Sequence, residues 1–308
     1  MIILITGGAG FIGSNLCKRL VTHNNTIYCV DNLSSGSIEN IDDLLDKNNF
    51  HFIKQDIIDL KISLNHVDII YNLACMASPK YYQKYPLETM ETCYKGTKNI
   101  LEIAKRYNCK IFHASTSEIY GNPIEHPQIE SYNGNVNTFG LRSCYDEGKR
   151  ISETLCFEYQ RQGCAVSIGR IFNTYGPNMS KIDGRVIPNF INQCLSNKDI
   201  TIYGNGLQTR SLCYIDDLLD VIIKLSNSEF KHPINIGNNY EITILDLAQK
   251  IKSLTESHSN IIFKPLPQDD PIKRQPNIDL AKKNLNWVPK IPLIQGLIKT
   301  IDYFKTKI

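Results

Sequence analysis

The 308-residue chain has no run of five basic residues, and 34 Lys and Arg against 31 Asp and Glu leave a net charge of only +3. Without a dense positive patch there is no electrostatic footprint for nucleic acid or for an anionic membrane, and neither is expected as a partner. No apolar stretch reaches the ~18 residues that span a bilayer. Strand-like residues begin at Ile2, which leaves no room for a secretion signal, so a cytoplasmic protein is expected. The ten cysteines include no C-x-x-C pair and are scattered from Cys17 to Cys213. They read as reduced, small hydrophobic side chains rather than as a disulfide framework. Seven histidines show neither an H-E-x-x-H pattern nor clustering with cysteine, so no metal site is expected. Internal repeats and low-complexity tracts are missing as well.

Hydrophobic residues make up 42% of the chain and charged residues 21%, spread over the whole length. That excludes wholesale disorder and suffices for one large α/β domain or two of ordinary size. Apolar, β-branched runs at Ile2–Thr6, Thr26–Asp31, Phe50–Lys54, Asp68–Leu73, Lys110–Ala114 and Ala165–Phe172 alternate with longer segments. The latter, near Phe11–Thr22, Leu87–Arg106 and Asp146–Gln162, have helical character. This alternation predicts a Rossmann-type, doubly wound parallel sheet. After Phe172, prolines punctuate shorter elements, and a smaller C-terminal α/β lobe is expected there. The expected division is a dinucleotide-binding domain over 1–172, rejoined by part of 206–228, and a substrate-binding lobe over 173–308. Within that lobe Lys264–Pro276 reads as a long loop, a kind of segment that is often functional.

Residues 2–13 read IILITGGAGFIG: a strand, a turn containing Gly7, Gly10 and Gly13, then an amphipathic helix. The glycines let the backbone turn tightly and approach a pyrophosphate, whose charge is stabilised at the helix N-terminus by Phe11 and Ile12. Asp31 follows Gly13 by 18 residues and ends the second strand, with Asn32 beside it. An acid there accepts from a ribose 2′-hydroxyl and repels a 2′-phosphate, so NAD is the expected cofactor. Asp56 and Ile57 lie beyond the third strand, and Leu73 and Ala74 end the fourth. They stand where adenine and ribose would lie, or they are plain loop residues.

Tyr145 and Lys149 are four residues apart and share one face of a helix. A phenol of pKa ~10 is a poor base at neutral pH, but an ammonium group and a bound, positively charged nicotinamide both favour the phenolate. Such a pair is either catalytic or a surface pair. The strand that ends in Ser115, Thr116, Ser117 and Glu118 favours the first reading, because it reaches the sheet edge that this helix should face. A hydroxyl there can bond a sugar hydroxyl, and a carboxylate beside it can serve acid/base chemistry.

The stretches ASTSEIYGNP (114–123), HPQ (126–128), SCYDEGKR (143–150), RIFNTYGPNM (170–179), DGRVIPNFI (183–191), YGNGLQTR (203–210) and DDPIKRQPNI (269–278) run in order along the chain. With them the sequence resembles the extended short-chain dehydrogenase/reductase family, and most of all its UDP-glucuronate decarboxylase branch. The resemblance implies bound NAD, a UDP-sugar substrate and three linked events: C4 of UDP-glucuronate is oxidised, C6 leaves as carbon dioxide, and hydride returns to the 4-keto pentose. It also implies roles. Tyr145 would be the base at the C4 hydroxyl, Lys149 its partner and holder of the nicotinamide ribose, and Thr116 the hydroxyl on the C4 oxygen. Ser117 and Glu118 would lie near the reacting ring and Arg274 near the carboxylate and C5. Tyr82, Asn173, Arg185 and Val186 would hold the nucleotide sugar, Tyr203 the uracil, and Gln208 and Arg210 the ribose and diphosphate. A homodimer through helices near 89–105 and 146–162 is implied too. Ile100, Leu101, Ile103 and Ala104 either serve that contact or face the sheet.

A 4,6-dehydratase or a 4-epimerase on the same scaffold is the alternative. The resembling dehydratases carry an Asp-Glu pair where this chain has Ser117 and Glu118, so one carboxylate is missing for elimination. A non-catalytic coenzyme sensor would have lost the Tyr/Lys pair, which is intact here. Members of the decarboxylase branch read HLACPASP at the end of the fourth strand, where this chain has Asn72 and Met76, and Asn or Ser where it has Cys93. These departures touch the cofactor floor and the wall nearest the sugar.

Overall fold

A computed structural model of the chain describes residues 1–266 and 273–307. In chain order, β1 (Ile2–Thr6), α1 (Phe11–Val21), β2 (Thr26–Asp31), β3 (Phe50–Lys54) and β4 (Ile69–Asn72) come first. The helical run that follows is α2 (Pro79–Tyr82), α3 (Pro86–Glu91), a wide turn over Thr92–Gly96 and α4 (Thr97–Tyr107). Next are β5 (Lys110–Thr116), α5 (Ser143–Arg161), β6 (Val166–Ile171) and β7 (Thr174–Tyr175). The remaining elements are α6 (Val186–Leu195), β8 (Ile200–Tyr203), β9 (Thr209–Ser211), β10 (Cys213–Tyr214), α7 (Ile215–Asn227), β11 (Ile234–Ile236), β12 (Glu241–Thr243), α8 (Ile244–Leu254), β13 (Ile261–Lys264), α9 (Asp279–Leu285) and α10 (Leu293–Lys305). Among the described residues no helix is long and apolar enough to cross a membrane.

Seven strands form one parallel sheet in the order β11-β6-β5-β4-β1-β2-β3. Both faces are covered, which is why the strands read as continuous apolar runs rather than alternating ones. Ile3 and Ile5 pack on one face in a cluster with α1 and α7, while Leu4 points to the other with α4 and α5. Ile100, Leu101, Ile103 and Ala104 belong to this second cluster and are buried against the sheet, so these four do not serve a partner contact. Chain order reverses at β1, whose neighbours are β2 and β4; the loops leaving β1 and β4 diverge and open a crevice at the carboxyl edge.

Three departures from the sequence pattern bear on the site. β5 continues through Thr116, and α5 begins at Ser143, three residues before the predicted start, so Tyr145 sits in its first turn. The helix predicted over 87–106 is interrupted by the wide turn at Thr92–Gly96, where Gly96 lies against Ile57: a methyl group there would stand 2.5 Å from the Ile57 Cδ1. The seventh strand, β11, comes from the segment assigned to the smaller lobe, and α7 packs on β5 and β6. Three residues carry too little pattern to read as a strand, and Ile234–Ile236 become one because β6 offers an unpaired edge. The centre of the 264–276 stretch, with Pro267 and Pro271, lies outside the described residues; beyond it, Gln275 and Asn277 bond the Gln128 backbone at 2.9 and 2.8 Å.

A buried ion pair fastens α5 to the sheet. Arg170 on β6 donates from Nε and Nη2 to the two oxygens of Glu153 at 3.0 and 2.9 Å, and from Nη1 to the Tyr120 hydroxyl at 2.9 Å and the Glu130 carbonyl at 2.8 Å. The Ser115 hydroxyl donates to the same carboxylate. Removing one member of such a pair strands the other charge in a low-dielectric interior. Glu153→Ala should therefore lower unfolding free energy by about 3 kcal/mol or more in urea titrations. A loss below about 1 kcal/mol would show that the pair does not hold α5 in place.

Candidate active site

The turn after β1 is shaped by contacts that only glycine allows. Gly7 has φ +68°, its N–H donates to the Val30 carbonyl at 2.8 Å, and a methyl group on it would stand 2.9 Å from the backbone of Ala74. A methyl group on Gly13 would meet the Gly7 carbonyl oxygen at 2.1 Å. The turn therefore lies flat on the loop after β4, and α1 starts at once, its first-turn amides unpaired within the helix and open to the crevice. Asp31, buried at the end of β2, accepts from the amides of Ala9 at 3.0 Å and Leu33 at 2.8 Å. Burial pushes its carboxyl above the usual range, while those amides work against it. Asp56 accepts from Asn32 Nδ2 at 2.6 Å and from the Ile58 amide at 2.9 Å. A glycine cradle, a helix N-terminus and a buried acid one strand away fit a dinucleotide whose ribose hydroxyls would donate to Asp31.

Across the switch point, α5 and β5 bring the other predicted residues together. Tyr145 and Lys149 are both buried, and Lys149 Nζ donates to the Ala114 carbonyl at 2.8 Å, which anchors it on β5. The Tyr145 ring stacks on Tyr82 at 5.1 Å between centroids and 7° between planes. Burial pushes the Tyr145 phenol well up, with the nearby Cys75 sulfur adding to this, and a hydrogen bond with Thr116 opposes it. The phenol is thus protonated until positive charge arrives beside it.

Glu118 is bonded by two guanidinium groups: Arg274 Nη1 donates to one oxygen and Arg142 Nη2 to the other. Arg274 also donates from Nη2 to the Gly121 carbonyl at 2.9 Å. Burial alone would raise the Glu118 carboxyl, but the charges of Arg274 and Arg142 prevail and bring it down to about 2. Glu118 is thus held as a carboxylate between two guanidinium groups, at the place where the sequence reading expects a carboxylate near the reacting ring. Asp146, next to Tyr145, is buried and its Oδ1 has no partner among the described residues. Burial, with the Glu118 charge, pushes it up to about 8. The cluster of Glu118, Arg142 and Arg274 thus carries a net single positive charge. Arg142 was not foreseen from sequence; its signal was its place three residues before Tyr145, one helical turn along the same face.

All the sequence-selected residues line one cavity of about 1050 Å³, including Tyr82, Asn173, Arg185, Val186, Tyr203, Gln208 and Arg210. Several are held by local bonds. Arg185 pairs with Asp183, Gln208 Nε2 donates to the Tyr203 carbonyl at 2.6 Å, and Arg210 Nη1 to the Thr209 carbonyl at 2.9 Å. Of the departures from the branch pattern, Asn72 accepts from Thr6 Oγ1 at 2.8 Å and bonds His113 Nδ1 at 3.2 Å, both beneath the floor. Met76 joins Tyr82, Cys144 and Tyr145 in a small apolar cluster that walls the cavity.

Comparison with known proteins places this arrangement. The NAD dependent epimerase/dehydratase family model matches residues 3–237. UDP-glucuronic acid decarboxylase 1 of Danio rerio is 47% identical over 308 residues, covering 99% of this chain and 73% of that protein. UDP-glucuronic acid decarboxylase 1 of Arabidopsis thaliana is 45% identical over 307 residues, covering 99% and 70%. The solved structure of UDP-glucuronic acid 4-epimerase from Bacillus cereus, in complex with UDP-glucuronic acid and NAD, superimposes with a TM-score of 0.92 at 28% identity over all of both chains. With its glycine cradle, its Tyr145/Lys149 pair and these relatives, the chain belongs to the NAD dependent epimerase/dehydratase family, on the branch that contains the UDP-glucuronic acid decarboxylases.

Proposed function

We propose that the chain converts UDP-glucuronate to UDP-xylose and carbon dioxide with NAD as a regenerated coenzyme. The observation that carries this reading is the net positive cluster of Glu118, Arg142 and Arg274 in the same cavity as Tyr145, a place suited to a sugar carboxylate. The turn with Gly7, Gly10 and Gly13, the amides of Phe11 and Ile12, Asp31, Asn32, Asp56, Ile57, Leu73 and Ala74 would hold the dinucleotide on the sheet. The nucleotide sugar would extend across the smaller lobe past Asn173, Arg185, Val186, Tyr203, Gln208 and Arg210.

Bound NAD supplies the hydride acceptor for C4 and later the donor. The chain's own residues manage protons and charge. Thr116 bonds the C4 oxygen, and Tyr145 takes the C4 hydroxyl proton once positive charge beside it favours the phenolate. The C4 ketone places the C6 carboxylate on a β-keto acid, so the C5–C6 bond can break with its electrons flowing into the C4 carbonyl, without a metal. Arg142 and Arg274, oriented by Glu118, hold the carboxylate so that this bond lines up with the carbonyl. The enolate left behind keeps its negative charge near the Tyr145 hydroxyl and is protonated at C5 through water. Lys149, fixed on Ala114, supports the coenzyme ribose.

Homodimerisation is part of this proposal. Leu87, Met90, Tyr94 and Ile151 are exposed along α3, the wide turn and α5; α3 and the turn pack on α5, which in turn packs on β5 and β6. A cytoplasmic setting also belongs to it, in keeping with ten cysteines that are all free thiols.

Purified protein with UDP-glucuronate and catalytic NAD should release carbon dioxide and form UDP-xylose, and with UDP-glucose it should form no 4-keto-6-deoxy sugar. UDP-galacturonate without carbon dioxide would mean an epimerase, and a 4-keto-6-deoxy product from UDP-glucose a dehydratase. Tyr145→Phe should keep coenzyme and UDP-sugar binding while losing turnover by about three decades, each worth about 1.36 kcal/mol. Arg274→Ala should cut carbon dioxide release by about 100-fold with NAD affinity unchanged. Equal loss of NAD binding would assign Arg274 to the scaffold instead. Tyr94→Asp should shift the species seen in sedimentation from dimer to monomer, and a wild-type monomer would overturn the dimer.

A further inference from the structure

Neither of the two thiols under the crevice takes part in the chemistry above. Cys75 lies in the irregular loop between β4 and α2, lines the cavity and is half-buried; Cys93 lies in the wide turn after α3 and is 2% exposed. Their sulfurs are 3.4 Å apart. Gly148 on α5 makes the slot for Cys93, since a methyl group there would stand 3.1 Å from its sulfur. We propose that Cys75 is a peroxide-reactive thiol in the coenzyme crevice and that Cys93 resolves it into a disulfide.

Three features support this. First, the hydrogen bond from Cys93 brings the Cys75 thiol down to about 7 against burial, with the Lys149 charge helping, and the same bond pushes Cys93 up. Cys75 is thus the more acidic of the two thiols, an arrangement that favours nucleophilic attack by it. Second, only Cys75 faces the cavity, so an oxidant meets it before its partner. Third, closing from 3.4 Å to the about 2.05 Å of a disulfide needs an approach of about 1.4 Å. The Cys75 loop has no strand ladder to resist that movement. Cys17 and Cys29 also adjoin, but both are fully buried, and Cys144 donates to the Tyr82 carbonyl at 3.5 Å.

The chemistry balances with hydrogen peroxide as oxidant. The Cys75 thiolate attacks one peroxide oxygen; the S–O bond forms, the O–O bond breaks, and hydroxide leaves and takes up a proton as water. The Cys93 sulfur, losing its proton, then attacks the Cys75 sulfenic acid; the S–S bond forms, the S–O bond breaks, and a second water leaves. Two thiols are oxidised and one peroxide reduced.

The test treats the full chain with near-stoichiometric hydrogen peroxide, without and with saturating NAD, and maps linked peptides by mass spectrometry without reduction. A Cys75–Cys93 peptide should dominate and form at least fivefold more slowly with NAD. In Cys93→Ser, with NAD affinity measured alongside, the link should vanish and Cys75 should accumulate as sulfenic acid captured by dimedone. Cys75 reacting no faster than the other thiols, a link from Cys75 to Cys144, or a rate indifferent to NAD would each overturn the proposal. Wild-type mapping decides the question even if Cys93→Ser fails to fold.

Discussion

The site is organised around one partly buried anion. Glu118 follows β5 immediately, Arg142 precedes α5, and Arg274 arrives from the far end of the chain. Three segments that share no local structure are drawn to one point because an isolated buried charge is costly and a carboxylate can satisfy two guanidinium groups at once. The consequence is electrostatic as well as architectural. Two guanidinium groups against one carboxylate give this cluster a formal charge of +1 in the cavity that Tyr145 also lines.

The opposite end of the cavity depends on the absence of side chains rather than on charge. Gly7 and Gly13 close the turn to distances that exclude even a methyl group, and this brings the unpaired amides of α1 and the loop after β4 to the same crevice. The strand-order reversal at β1 makes the crevice possible, since neighbouring loops diverge only there. Between the two ends, Lys149 on the Ala114 carbonyl and Glu153 on Arg170 tie α5 to β5 and β6. Tyr145 and Lys149 therefore rest on the sheet, whereas Arg142 and Arg274 reach the site from irregular segments. That is the arrangement a reaction needs if it must hold a ring still while one bond aligns with a carbonyl.

The covered sheet also explains why the helices flanking it carry two apolar faces. Ile100, Leu101, Ile103 and Ala104 are consumed by the core. The exposed Leu87, Met90, Tyr94 and Ile151 lie outside that contact.

The six strands up to Ile171, the glycine turn, Asp31 and the Tyr145/Lys149 pair were legible in the sequence because each rests on local periodicity or fixed spacing. A strand buried on both faces must be apolar, a turn that touches its neighbour must be glycine, and two residues four apart on a helix must share a face. What was not legible depended on distant neighbours. Ile234–Ile236 form a strand only beside the free edge of β6, and the Glu118 carboxyl is brought below its ordinary range because Arg142 and Arg274 close on it. The sulfurs of Cys75 and Cys93 meet only because the turn at Thr92–Gly96 faces the loop after β4. Backbone propensity and side-chain size act within a few residues and are written in the sequence; partner, charge state and contact across the chain are set by the fold that brings those residues together.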